Sequence, residues 1–485
     1  MENGTLAWNR RELLLRGLSW SGLAIWGAAG RARWGDAEGS VLAAARALAD
    51  GRQVRVRLLL PEGSGANVTP VTRSFEAATG VRIEMREVPV DEVASTAMLE
   101  SVSGSVSFDI ALPPTFGVPD LAEGDVVRPL DELVERHEPA DLSPGRLYPL
   151  GSRYKGRFYG YQADGDVYVM FYNGGLLRDG DLGARYADLH GEELGVPRTW
   201  EALDRQMAFF HDPDAGRFGG TLFRVPGYLE WEWWIRLHAK GVLPVDDEMV
   251  PAFDGPEGLA ALEELVAASA WQTPGAATQG LFGNWADFAE GHAYCNIGWG
   301  GTQKFLNGPE SSVRERLVFG PTPGGEVGGE LVPISYFNWG WNYVISRASS
   351  EPELAYLFTL YASLPGPSTE SVRARAGFFD PHRVEHYGDP QVVGAYTEPF
   401  LRQHRASLKG CLPDFYLQGR GEYFALLGRY LDRANRGELS PERALLLAAR
   451  GWELVTDRLG REGQIEQWRR LKASYPAHVL AAAAR

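Results

Sequence analysis

Gln162, Asp164 and Asp166 fall at i, i+2 and i+4, a spacing that turns all three to one face of an extended segment. Carboxylates placed this way accept hydrogen bonds from neighbouring hydroxyls or pair with an ammonium group. The bland alternative is a solvated Asp-Gly turn. Trp299 stands among glycines in Asn296-Ile297-Gly298-Trp299-Gly300-Gly301. A strand that ends there puts the ring at a strand terminus, where open α/β sheets bind ligands. Asn338, Trp339 and Trp341 precede another expected strand. Trp339 and Trp341 are two apart and so expected on one face, either lining a cleft or packing a hinge. Rings that stack, with a few polar side chains converging on them, are the makings of a concave small-molecule site. Most of the 15 Trp and 19 Tyr nevertheless belong to the core.

Other patterns carry less. Trp231, Trp234 and His238 follow helical spacing and are expected as a core stripe. His382 and His386, four apart, resemble a metal pair, but Asp380-Pro381-His382 argues for a loop and no third ligand is evident, so neither metal nor cofactor is expected. There is no GxSxG elbow, HExxH, Walker A or strand–GxGxxG–helix unit. Asp164 and Asp166 could serve glycoside hydrolysis, but the eight-fold βα repeat of a barrel hydrolase is not visible. Cys295 and Cys411 fit no metal spacing; two separate buried thiols are the favoured reading over a disulfide.

The elements that must position these residues are legible in outline. Strands are expected at 54–60, 81–88, 108–112 and 167–172, and a helix over 68–78 closed by Gly80. Leu121 to Leu133 reads as a helix ended by glycine, a turn and a new helix, and 156–160 as a hairpin turn. Thr199 is a plausible N-cap. Ser350-Glu351-Pro352-Glu353 has the form of a capping box, and Ser440-Pro441-Glu442 starts another helix. Strands alternating with helices argue for an α/β fold with largely parallel sheets. The Gly/Pro-rich stretches 320–329 and 365–367 are candidate crossings between lobes.

The chain has 485 residues, enough for two or three domains at roughly 100–200 residues each. Its net charge of −15, with no basic stripe after residue 60, argues against nucleic-acid binding. Arg10-Arg11 precede an apolar stretch from Gly17 to Ala29 that is too short to span a membrane and long enough for a signal core. Residues 1–35 are therefore expected to form a twin-arginine export signal.

A string of blocks in order carries a resemblance: Ser74-Phe75-Glu76-Ala77-Ala78-Thr79-Gly80, Phe108-Asp109-Ile110, Leu121 to Leu133, Tyr159 to Asn173, Pro197-Arg198-Thr199-Trp200-Glu201, Asp287 to Ala293, and Gly340 to Ser346. Together they resemble the family 1 extracellular solute-binding proteins of bacterial ABC importers. Two departures fall near the expected ligand: Trp339 where the family usually has Gly, and Tyr294-Cys295 where it usually has Met. The resemblance implies a two-lobed periplasmic-binding-protein fold, each lobe a sheet flanked by helices, with a ligand cleft at the hinge. Lobe I would hold 52–164 plus 333–365, and lobe II 165–332 plus 366–480. It implies a monomeric, exported, non-enzymatic receptor that hands a sugar or polyol to the importer's permease by hinge closure. A sugar hydrolase, or a receptor for a polyamine or other organic cation, are the alternatives. From the family's other loops come Glu62, Ser64, Thr115 and Arg383 as further ligand-contact candidates.

Overall fold

The computed structural model describes residues 34–140 and 142–485. The Arg10-Arg11 motif and its apolar stretch lie outside them. A first sheet has the order β2 (Arg82–Val88), β1 (Arg55–Pro61), β3 (Ile110–Ala111), β9 (Asn342–Ile345), β4 (Gly160–Gln162). β1 pairs parallel with β2 and β3, whereas β9 runs antiparallel to β3 and β4. The second sheet has the order β8 (Leu317–Gly320), β5 (Val169–Asn173), β7 (Ala293–Gly298), β6 (Phe218–Gly220), and only β6–β7 is parallel. The expectation of largely parallel sheets is corrected to mixed ones. The chain re-enters the first sheet late, through β9, and β5 is flanked by two antiparallel partners.

The sequence forms these elements for local reasons. Along β1, Val56, Leu58 and Leu60 are wholly buried and Leu59 nearly so, the pattern of a strand covered on both faces. Helix α2 (Gly65–Thr79) ends at Gly80, whose φ of 77° takes the left-handed turn that glycine allows without a Cβ penalty. The helix over 200–210 starts at Thr199, whose hydroxyl accepts the Ala202 N–H at 3.2 Å. Ser440 caps Pro441–Leu459 in the same way. The expected capping box at 350–353 does not form: Glu351 occupies the cap position of α6 (Pro352–Ser363), and the Ser349 hydroxyl accepts its N–H.

A helix unforeseen in the sequence, α1 (34–49), buries Val41, Ala45 and Ala49 against the first lobe, and Arg46 Nε donates to the Ala78 carbonyl at 2.9 Å. Helix α7 (Pro365–Arg373), most of which the expected boundary gives to the second lobe, packs chiefly on α2. The second lobe is thickened by helices α3 (Leu229–Ala239), α4 (Pro256–Ala268), α8 (Arg420–Asn435) and α9 (Pro441–Leu459), which pack on one another. Their shared core holds Trp234 with its ring centroid 5.0 Å from Phe424 and 5.8 Å from Phe415. Cys295 and Cys411 are both free and buried.

Three segments carry the chain between the sheets: 163–168, 338–341 and 374–389. The expected crossing at 320–329 is instead the start of a small hairpin, Gly325–Val327 with Glu330–Val332, lying against α3. No helix among the described residues is long and apolar enough to cross a membrane.

Candidate functional site

Two hollows meet at Trp339, between the lobes. The tighter is walled by Trp285 and Trp299 of the second lobe, by Trp339 and Trp341 of the crossing, by Phe378, and by the Asp166 carboxylate. Its volume is about 20 Å³, room for a single water, so a solute must part the rings to enter. The wider is a cleft of about 600 Å³, with Phe116 from the first lobe facing Tyr228, Glu230 and Trp231 at the start of α3, and Arg420 and Phe424 of α8.

Each wall has a local cause. Trp299 follows β7 directly and is the N-cap of helix α5 (Gly300–Leu306); its backbone N–H donates to the Thr302 hydroxyl at 3.1 Å. Its indole N–H donates to Asn338 Oδ1 at 3.0 Å, which ties the second lobe's ring to the crossing. Trp339 and Trp341 flank Gly340, whose φ is +68° and where a Cβ would lie 2.6 Å from the Phe337 ring and from Thr115 Oγ1. Only glycine fits that close approach. The turn it permits brings both rings to the same hollow, 5.7 Å apart, ahead of β9 rather than within a strand. The Trp231 and Trp299 rings meet edge to face with centroids 6.0 Å apart, as do Trp231 and Trp339 at 5.1 Å.

The polar groups behind these rings are strongly perturbed. Asp166 accepts the Gly340 N–H at 3.2 Å; Asp164 accepts those of Gly165 and Asp380, both at 2.6 Å. Burial, then the neighbouring carboxyls, push both aspartates well above the usual carboxylate range. Asp380 accepts the Gly300 N–H at 2.5 Å, and burial raises its pKa to about 7 against the pull of Lys304. In the wider cleft burial likewise raises Glu230 to about 7. Arg420 is held by Asp414 at 2.7 and 3.0 Å.

The sequence-derived candidates therefore divide. Trp299, Trp339, Trp341 and Asp166 line the tight hollow together. Asn338 stands behind Trp299 as its hydrogen-bond partner. Asp164 is fully buried behind Asp166, and Gln162 is bonded to the Asp164 carbonyl at 2.7 Å. The idea of three side chains on one cleft-facing edge is corrected, because the chain leaves β4 at Gln162 and turns. Ser64 is buried on the Pro61 carbonyl and Thr115 on Asn342 Oδ1, while Glu62 is exposed; none of the three lines either hollow. Arg383 is buried on the Leu142 carbonyl and beside Glu385, also away from both. His382 and His386 form a buried turn, the His382 N–H donating to His386 Nδ1. Trp234 and His238 are core as expected, but Trp231 of the same stripe reaches the wide cleft.

Sequence reasoning missed Phe116, Tyr228, Glu230, Trp285, Phe378, Asp380 and Arg420. A Glu at a helix start or a Phe after Pro113-Pro114 carries no local signal, and only the fold brings these residues to one gap.

Two lobes joined by three crossings, with an aromatic cleft where they meet, are the architecture of a two-lobed binding protein. The family profile of bacterial extracellular solute-binding proteins matches residues 71–372, and the chain belongs to that family. A probable amino-acid ABC transporter periplasmic-binding protein of Sinorhizobium fredii is 23% identical over 357 residues, covering 70% of this chain and 75% of that protein. Among solved structures, an ABC transporter solute-binding protein of Agrobacterium radiobacter K84 in complex with ribitol superposes with a TM-score of 0.71 at 19% identity, covering 83% of this chain and 98% of that one. A maltose-bound MalE3 of T. maritima gives 0.69 at 18% identity, covering 83% and 100%. The fold is the two-lobed periplasmic-binding fold, and the similar proteins are binding proteins of ABC transporters rather than enzymes.

Proposed function

We propose that this protein is an exported receptor for a sugar or polyol, which it encloses by hinge closure and delivers, unaltered and as a monomer, to the permease of an ABC importer. The observation that carries the reading is the interlobe hollow with four indole rings around one carboxyl. Rings cover the C–H faces of a polyhydroxylated solute while a carboxyl bonds its hydroxyls. The ribitol- and maltose-bound relatives of the same fold lend support.

We further propose lobe I as 52–164 plus 338–373 and lobe II as 165–337 plus 374–480; against the expected bounds, α7 moves to lobe I because it packs on α2, and 333–337 move to lobe II because they precede the second crossing and pair with 412–413. Export by the twin-arginine route rests on Arg10-Arg11. Replacing both by lysine should leave precursor in the cytoplasm, and unchanged export would remove that route.

A second reading is favoured by the same rings. Indole faces over a carboxyl also attract an organic cation, and the Sinorhizobium relative is described for amino acids. A thermal-shift panel of sugars, polyols, amino acids and polyamines decides, since a ligand bound only by the folded state raises the melting temperature. A sugar or polyol hit recovered intact after long incubation is the expected result. Cleavage of the hit would move the protein to the hydrolases. A hit among amines whose affinity falls steeply with salt would move it to the cation receptors.

A further inference from the structure

Asp164 and Asp166 lie on the first interlobe segment and Asp380 on the third, and the N–H that Asp166 accepts comes from Gly340 on the second. The three carboxyls present oxygens within 4.8 Å of one another. Asp164 and Asp380 are wholly buried and Asp166 nearly so, and Asp164 Oδ2 has no hydrogen-bond partner. One place in the protein thus draws all three crossings together through acid side chains.

The groups that face this cluster come from four elements. Lys304 of α5 donates to the carbonyls of Ala374 and Phe379, at 2.9 and 3.1 Å. The Tyr396 hydroxyl, from the helix Pro390–Tyr396, reaches Asp380 Oδ1 at 3.3 Å. Tyr387, from the short turn Val384–Gly388, hydrogen-bonds His404 at 2.7 Å. His404 Nε2, on the helix Glu398–Leu408, lies 3.7 Å from Asp380 Oδ2, and burial lowers its pKa to about 3, so it is neutral. Three acids therefore face one ammonium. Ionising all three would leave uncompensated charge in the interior, so the cluster holds protons.

We propose that Asp164, Asp166 and Asp380 form a proton-loaded clasp across the three interlobe segments: shared protons hold the segments together, and ionisation drives them apart and opens the cleft. The clasped arrangement binds more protons than an opened, hydrated one. Rising pH must then favour opening. The raised carboxyls fix the direction: the clasp is intact on the acid side and is lost as pH rises through them, with Asp380 near 7. Lys304, lowered to about 8 by burial, works the other way, because the clasped arrangement binds its proton less tightly than an opened one; it offsets part of the opening that the three carboxyls drive.

Small-angle scattering and tryptophan emission of the full protein without solute, from about pH 5.5 to about pH 9, test this. Trp299, Trp339 and Trp341 share the hollow with Asp166 and so report on it. A reversible rise in radius of gyration and a red shift in emission are expected, with a midpoint well above the ordinary carboxylate range. Asp166→Asn and Asp380→Asn keep the shape but cannot ionise, and each should stay compact to the alkaline end. Tyr396→Phe removes a hydrogen bond that favours ionised Asp380, so it should move the midpoint upward; it serves if an Asn variant does not fold. A flat wild-type profile overturns the clasp without any variant. So does a midpoint unchanged in whichever variants fold.

Discussion

Two groups of aromatic side chains in this protein are buried almost equally and sit in different surroundings. Around Trp234, Phe415 and Trp452 in the helical shell of the second lobe, rings pack on rings, with Phe415 and Trp452 stacked at 5.1 Å. Around Trp299, Trp339 and Trp341 the rings are as close, yet they leave a hollow with Asp166 on its wall. Burial does not separate the two: Trp234 and Trp452 are fully buried and Trp299 and Trp339 are both 4% exposed. Unpaired indole N–H groups do not separate them either, since both Trp234 and Trp339 have one. What differs is that the second group stands between the lobes, Trp339 and Trp341 on a crossing segment and Trp299 at the end of the second lobe facing it, with an acid on the wall.

The largest expected effect breaks the first group. Trp234→Ala removes a large side chain from a closed core and should cost about 3–5 kcal/mol of stability in urea unfolding. Affinity per folded molecule should stay nearly unchanged. Trp299→Ala should do the reverse: roughly ten-fold or more weaker solute binding by calorimetry, from losing about 1–3 kcal/mol of stacking and burial, with a smaller change in stability. If Trp299→Ala instead unfolds the protein and spares affinity, the two aromatic groups are one core and the hollow is not the solute site.

How far this contrast could be read from sequence follows from how local its causes are. Trp299 was legible because its glycines and the strand before it are contiguous. Asp166 was legible as one of an alternating set, but Asp164 and Gln162 were not separable from it, since the turn after β4 depends on where the second sheet lies. Asp380 is remote in sequence, and reading it as part of a loop with His382 gave no hint that it meets Asp164. The strands of the first lobe follow directly from alternation and the glycine after α2. Helix α1 escaped notice although Val41, Ala45 and Ala49 keep helical spacing, because alanines give a weak apolar signal.

The smallest expected effect sharpens the comparison, because it concerns an aromatic contact that belongs to neither group. The Arg420 guanidinium lies 3.8 Å from the centroid of Phe116 and 3.8 Å from that of Phe424. Phe424 is its neighbour on α8, whereas Phe116 follows β3 of the first lobe. Asp414 fixes the guanidinium from the side, so the plane is presented to both rings without free rotation. Beside it the Gly419 N–H donates to Asp120 of the first lobe at 2.6 Å. The ring–cation–ring stack therefore spans the lobes at the rim of the wide cleft. A desolvated cation–π contact is worth up to about 2 kcal/mol and an exposed one about half that or less. Phe116 is half-buried, which places it between these values. Phe116→Leu keeps the apolar volume and removes the π face, so it should weaken solute affinity about two- to five-fold, through closure, and leave urea stability within about 0.5 kcal/mol. Scattering on the solute-bound protein would show the variant less fully compacted at equal occupancy. A loss of stability with unchanged affinity would assign the stack to the permanent packing of α8 on the first lobe, and the contrast between core and cleft rings would then extend no further than the hollow at Asp166.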